Sequence, residues 1–290
     1  MEHSYASEDT GNLVLLEHVN LKIPNQILAT AFYVTGLGLT RDPFMMTGVE
    51  NMWINIGRSQ IHLPHGAAQR LRGSVGLVVG EREALVRRLR SVEPLLAGTA
   101  FGWSERAGSV EVTCPWGNRY ECLDPTGRST SDPWSEIDLG IAFVKMDVPL
   151  GSALPIARFY RDIFDAPVDI EEQHGLHRAV IDVGTHQQLL YAETPEPIPE
   201  YDGHHIAIYT AAFSAPFRRL AEKGLVYGEE PHQYRFADFV DQSSGARCFR
   251  LEHEVRSLHH PLYARALVNR NPEQTDRSYL KGADSRGGRF

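Results

Sequence analysis

The pattern strand, helix, three strands recurs four times along the chain, and a repeat of that size constrains the fold before any single residue does. The run Leu16-Glu17-His18-Val19-Asn20-Leu21-Lys22-Ile23-Pro24 has a partner in Ile141-Ala142-Phe143-Val144-Lys145-Met146-Asp147-Val148-Pro149. Phe32-Tyr33 returns as Phe159-Tyr160, Ile54-Asn55-Ile56-Gly57 as Ile181-Asp182-Val183-Gly184, Arg87-Arg88-Leu89 as Arg218-Arg219-Leu220, and Gly117 as Gly245. These pairs are offset by 125, 127, 127, 131 and 128 residues, so one half of the protein repeats the other. At 290 residues the chain accommodates two domains of ordinary size.

Alternation and turn residues place the four modules. Val19, Leu21 and Ile23 share one face of a strand, and His18, Asn20 and Lys22 the other. Leu28, Ala31, Phe32 and Thr35 then recur at helical spacing up to a stop at Gly36. Three short strands are expected near 39–45, 51–56 and 59–63. Module two spans 73–124, module three 139–193 and module four 203–254. The expected division is therefore an N-terminal paired domain at 13–125, a Ser/Thr/Pro/Asp-rich linker at 126–138, a C-terminal paired domain at 139–254, and a polar extension at 255–290.

A formal charge of −8 argues against a nucleic-acid or anionic-membrane partner, with the arginines clustered near the C-terminus left as the place for a local basic patch. No apolar run approaches the ~18 residues of a membrane span. Cys114, Cys122 and Cys248 are odd in number without a CxxC spacing, and the first residues lack the regions of a signal peptide. Reduced thiols and a cytoplasmic protein are expected. Phosphate loops, nucleophile elbows and zinc-finger spacings do not occur.

The four-module pattern resembles the vicinal oxygen chelate superfamily, which includes glyoxalase I, bleomycin-resistance proteins and extradiol dioxygenases. The resemblance covers about residues 13–254. It implies an α+β fold of four βαβββ modules curled into two open barrels, each with slots for a divalent metal on its concave face. Ligands come from the first and last strands of each module.

Mapped onto those slots, the first half offers His18, His62 and Glu121 as metal ligands, with Ser74 in the remaining slot. The second half offers His205 and Glu252 as an alternative site. There Phe143 and Leu189 or its neighbour fill two slots without a donor, and Arg250, Glu252 and Glu254 share the inward face if a bulge follows Gly245. Asn20, Gln187, Tyr209 and Arg250 are the candidates for substrate contact. The tyrosine and proline of the extradiol signature are absent around 239–245. The resemblance then implies a divalent metal, Fe(II) first and Mn, Zn or Ni as alternatives, acting on a small oxygen-bearing substrate. Oxygenation and a lyase or isomerase step both suit such a site. A metal-free binding protein of the bleomycin-resistance kind is the competing class. A small molecule is the expected partner, and assembly into a homo-oligomer stays open.

Taken singly, His18 reads as a hydrogen-bonded wall residue and Glu121 as a surface carboxylate. The paired arginines at 87–88 and 218–219 read as exposed helix faces, and Trp53 and Trp116 as packing residues.

Overall fold

The computed structural model describes residues 5, 9–45, 50–124 and 132–286. Module one comprises β1 (Leu13–Asn20), the helix α1 (Gln26–Ala29, continuing as a π-helical stretch Thr30–Gly36), β2 (Thr40–Arg41), β3 (Asn51–Ile56) and β4 (Ser59–Pro64). Module two holds β5 (Gly73–Val78), α2 (Arg82–Leu96), β6 (Gly102–Arg106), β7 (Ser109–Thr113) and β8 (Arg119–Leu123). Module three holds β9 (Gly140–Val148), α3 (Ala153–Phe164), β10 (Val168–Gln173), β11 (Leu176–Val183) and β12 (Gln187–Glu193). Module four holds β13 (His205–Thr210), α4 (Ser214–Glu222), β14 (Gly228–Glu230), β15 (Gln233–Val240) and β16 (Arg247–Ser257). All four repeats have the βαβββ order read from the sequence.

Local chemistry sets the element ends. Asn25 caps α1, its side chain accepting from the amides of Ile27 and Leu28 at 2.9 and 3.1 Å. The strand expected near 39–45 shortens to two residues, and 46–49 lie outside the described residues, as does the expected linker up to 131. Gly57 and Gly184, the paired turn glycines, both have positive φ, at 63° and 65°. A methyl group on either would overlap a backbone carbonyl, Leu139's at Gly57 and Val14's at Gly184. Each turn therefore presses on the first strand of the opposite half, which only glycine allows.

The sheets combine modules in a way the repeat did not indicate. Strand order in one eight-stranded sheet is β14-β15-β16-β13-β1-β4-β3-β2, and in the other β10-β11-β12-β9-β5-β8-β7-β6. Module one thus shares a sheet with module four, and module two with module three. The expectation that 13–125 and 139–254 each close a barrel of their own is corrected on this point. First strands pair antiparallel, β1 with β13 and β5 with β9, and similar modules present similar edges, so the sequence does not say which copies meet.

The two halves nevertheless pack alike through their helices. Tyr33 of α1 reaches Tyr120 of β8, hydroxyl to hydroxyl at 2.6 Å, and Tyr160 of α3 reaches His253 of β16, also at 2.6 Å. Phe32 and Phe159, the preceding residues of the repeat, are both fully buried. Val19, Leu21, Ile206 and Ile208 lie in the same large core as these aromatics, as strand alternation requires. The opposite faces of the two sheets are the hollows, and they differ completely.

Candidate metal centre

β1 does not alternate cleanly. Leu16 pairs with Ile208 but His18 pairs with Ala207, so one extra residue, Glu17, is inserted against β13. Such a bulge turns two successive side chains toward one side. Leu16 and Val19 stay in the core, while Glu17 and His18 both enter the hollow of the module one–module four sheet. Next to them stand His62 of β4, His205 of β13, and Glu252, Glu254 and Arg256 of β16. The registers Asn20↔His62 and Ala207↔Glu254, with His18↔Ala207 and Asn20↔His205, make His18 the counterpart of His205 and His62 the counterpart of Glu254.

Donor atoms of His18, His205 and Glu254 all lie within 4.8 Å of one another, as do those of Glu17, His18 and His62. The Nε2 atoms of His18 and His205 are 3.4 Å apart, and Glu254 Oε2 is 3.9 Å from His205 Nε2. On the far side of each ring a carboxylate faces Nδ1: Glu17 bonds His18, and Glu252 lies 3.5 Å from His205. A carboxylate only accepts, so the bond to Glu17 places the proton on Nδ1 of His18, and Glu252 favours the same tautomer in His205. Two Nε2 lone pairs then converge beside a carboxylate oxygen. Two such lone pairs repel each other unless a cation or proton lies between them, and Nδ1-to-carboxylate bonding is the usual outer support of a metal-binding histidine. Two histidines and one carboxylate are also the donor set of non-haem Fe(II) sites. The residues fit the metal.

The charges agree. Burial pushes the His18 imidazole well below its usual range, helped by the positive charge of Arg256, and lowers His205 to about 4 against the opposing pull of Glu254. Both rings are neutral near pH 7, the state that donates a lone pair. Arg256 bonds Glu17 at 2.9 Å and Glu254 at 2.5 Å, and Arg235 bonds both Glu252 and Glu254. Desolvation acts to lower the Arg256 pKa, but Glu17 and Glu254 outweigh it and hold the group firmly charged. A carboxylate has about four acceptor positions, so Glu254 can serve both guanidiniums and keep one for an ion.

His62 is held differently. Its ring stacks between Trp53 at 4.0 Å and His18 at 3.8 Å. Gln60 gives its amide hydrogens to Asn55 and Asp42, so its carbonyl oxygen accepts from His62 Nε2 at 3.1 Å. His62 Nδ1 is then its basic nitrogen, and Trp53 is a wall of the site as well as a packing residue.

The structure separates other sequence candidates from this centre. Glu121 lies on β8 in the other sheet, opposite Glu111, and does not join His18 and His62. Glu252 faces His205 Nδ1 while Glu254, two residues on along the same face of β16 and opposite Ala207, joins the donor group. Gln187 is a strut between the sheets, bonded to Leu16, Ser59 and Ile141. Arg250 lies by Asp238 and Tyr201 on an outer groove. Asn20 sits directly across from His205 and is buried. Tyr209 lies in the hollow, 3.5 Å from Arg256 and 3.4 Å from His260. Glu17, Arg235 and Arg256 were not singled out from the sequence; the alternating Glu252-x-Glu254-x-Arg256 was an available signal for Arg256 alone.

The second hollow carries Ser74, Phe143, Glu121 and Leu190 at the register positions of His18, His205, His62 and Glu254. It is filled by Phe143, Val180, Leu190, Val78 and Ile137, with Trp134 packed on them. The Phe143 ring lies against Gly76, where a side chain would collide with it.

After β16 the C-terminal extension crosses the first hollow. Tyr263 packs on Tyr209 with ring centres 5.0 Å apart, and Arg265 bonds Asp42 at 2.7 Å. Asn269 and the Gly57 backbone exchange two hydrogen bonds, and Arg286 donates to the Val79 carbonyl at 2.7 Å.

Neither a family model nor a curated protein matches this sequence. Solved structures do match its fold. A putative dioxygenase from Bacillus subtilis aligns over 87% of both chains with a TM-score of 0.57 and 14% identity. Glyoxalase I from Zea mays aligns over 87% of this chain and 94% of its own, with a TM-score of 0.57 and 13% identity. A point mutant of the maize enzyme aligns over 83% and 92%, with a TM-score of 0.58 and 14% identity. The chain has the vicinal oxygen chelate fold. Among described residues, no helix is long and apolar enough to cross a membrane.

Proposed function

We propose that this protein is a divalent-metal-dependent enzyme acting on a small oxygen-bearing substrate in the hollow between modules one and four. The observation that carries the reading is the convergence of His18 Nε2, His205 Nε2 and a Glu254 oxygen, with a carboxylate behind each imidazole. A bound Fe(II), Mn(II), Zn(II) or Ni(II) would supply Lewis acidity toward substrate oxygens. The chain's own residues do the rest. Glu17 and Glu252 fix the ring orientation of His18 and His205. Arg235 and Arg256 keep the buried carboxylates balanced. His62, with Nε2 committed to Gln60, takes the substrate proton at Nδ1. Trp53 and the C-terminal extension exclude water above these groups. An oxygenase and a lyase or isomerase both use such an arrangement.

The test is metal content by mass spectrometry on protein purified without chelator. Stoichiometric metal in the parent, lost in His205→Ala and retained in Glu121→Ala, supports the assignment. Metal that survives His205→Ala refutes it. A second reading, a metal-free small-molecule binder, is favoured by one observation: Glu17, Glu252 and Glu254 are each already paired with Arg235 or Arg256. Absence of metal from the parent protein would select it.

A further inference from the structure

Burial holds the His62 imidazole well below its usual range, so the neutral ring has one proton for two nitrogens. The strands β3 and β4 carry the groups that place it. Trp53 pairs with His62 and Asn55 with Gln60, so these four side chains share one face. Gln60 Nε2 lies 2.6 Å from Asn55 Oδ1, and Asn55 Nδ2 lies 3.0 Å from the carbonyl of Val268 in the C-terminal extension. Gln60 Nε2 also lies 3.2 Å from Asp42 Oδ2, the oxygen that Arg265 of the extension holds at 2.7 Å. A main-chain carbonyl only accepts, so Val268 turns the Asn55 amide nitrogen toward itself and the amide oxygen toward Gln60. That oxygen and the Asp42 carboxylate turn the Gln60 nitrogen away from His62. The Gln60 oxygen is left to accept from His62 Nε2 at 3.1 Å, and Nδ1 is bare. Each link has one orientation, and both outer ends of the chain belong to the extension.

Module three shows the alternative. Its corresponding cross-strand pair is Asp182 and Gln188, bonded at 3.0 Å. A carboxylate accepts whatever surrounds it, so that pair needs no outside group to orient it. Leu190 stands two residues beyond Gln188, and the chain of bonds ends there. Asn55, by contrast, takes its orientation from the extension.

We infer that docking of the C-terminal extension selects the basic nitrogen of His62, with Asp42, Asn55 and Gln60 as positioning residues. The inference rests on the proposed role of His62 as the group that takes the substrate proton at Nδ1. With the extension lifted, Asn55 is free to rotate and the Gln60 amide to reverse. The proton then moves to Nδ1, where it blocks that role. The strap that covers the hollow thus also prepares its base, and the two events occur together.

The test is nitrogen NMR of the histidine rings in the full chain, with zinc supplied so that any bound metal is diamagnetic. The His62 signals are identified by their absence from His62→Gln. The parent should show a protonated Nε2 and a bare Nδ1. Arg265→Ala with Asn269→Ala removes the extension's side-chain bonds to Asp42 and Gly57, and limited proteolysis reports the lifting. In that variant the ratio of the two tautomers should fall about tenfold, the worth of one hydrogen bond. Adding Asn55→Asp should restore it, because a carboxylate at this position accepts from Gln60 without the extension. Gln60→Leu cuts the last link and should lose the preference with the extension in place. Circular dichroism confirms that each variant is folded. Unchanged ring shifts in the lifted variant or in Gln60→Leu, or no recovery with Asn55→Asp, overturn the inference. The tautomer is read with or without a bound metal, so its failure leaves the metal assignment standing. Absence of metal from the parent removes the enzyme and leaves the tautomer result intact.

Discussion

The two hollows of this molecule are built from the same registers and filled in opposite ways. Where one carries His18, His205, His62 and Glu254, the other carries Ser74, Phe143, Glu121 and Leu190. The first spends its interior on buried charge. Glu17, Glu254 and Arg256 are all at least 94% buried, and removing such groups from water is expensive unless each is paired. The second takes the inexpensive solution and closes with Phe143, Leu190 and Trp134. Apolar filling stabilises at roughly 25 cal/mol per Å² with no pairing to satisfy. The duplication thus lets one hollow anchor the fold while the other carries polar groups that weaken it.

That contrast can be broken experimentally. The largest expected effect is on stability: Phe143→Ala should cost about 3–5 kcal/mol, as removal of a buried phenyl ring does, and leave metal binding unchanged. Denaturant unfolding monitored beside metal content checks both halves of this statement. A loss of metal with Phe143→Ala would mean that the hollows are not independent.

In the polar hollow, Glu254→Gln should weaken metal binding by about a hundredfold or more, and Glu121→Gln not at all. Equilibrium dialysis of chelator-stripped protein gives both constants. Equal effects would erase the distinction between the sheets. His62→Ala should weaken metal binding by less than about tenfold, if His62 holds a proton and not the ion.

Glu17→Gln is the next smaller change. Replacing the carboxylate behind a metal-binding imidazole lowers affinity by about tenfold. Nitrogen NMR of the ring adds a structural readout, since Nδ1 of His18 should lose its strongly bonded proton. An unchanged His18 resonance would remove Glu17 from this role.

The smallest effect concerns the strap across the polar hollow. Desolvation acts to raise the Asp42 pKa, but the bond to Arg265 and the amides of Met45 and Phe44 outweigh it, and the net shift is downward. A carboxyl depressed in the folded state contributes stability fully above its unfolded pKa of about 3.9, and loses it as pH falls through the folded value. Pepsin should therefore cut the extension only below that range in the parent. In Asp42→Asn it should cut more readily across the whole range, by about 1–2 kcal/mol of local protection.

The sequence disclosed a good part of this. Alternation in β1 and β13 puts His18 and His205 opposite the core residues Val19 and Ile206, and the family resemblance implies four slots per barrel. Two features resisted it. Antiparallel pairing of β1 with β13 depends on long-range docking, so His18, His62 and His205 read as parts of two sites when they form one. Bulges break alternation without a marker in the residues themselves. The insertion at Glu17 turns an apparently core-facing position into the hollow.

The pairing of the outermost modules has a consequence for how the protein is made. β1 is made before every other strand of the four modules, yet Asn20 lies against His205. Modules two and three are adjacent in the chain, and their hollow, filled largely by apolar side chains, can close while synthesis continues. Until module four arrives, β1 remains an open edge, the kind of surface that invites wrong partners and slows folding. The cluster of His18, His205 and Glu254 is therefore assembled only when module four arrives. A chain that stops before β13 has the hollow of modules two and three but lacks His205 and Glu254.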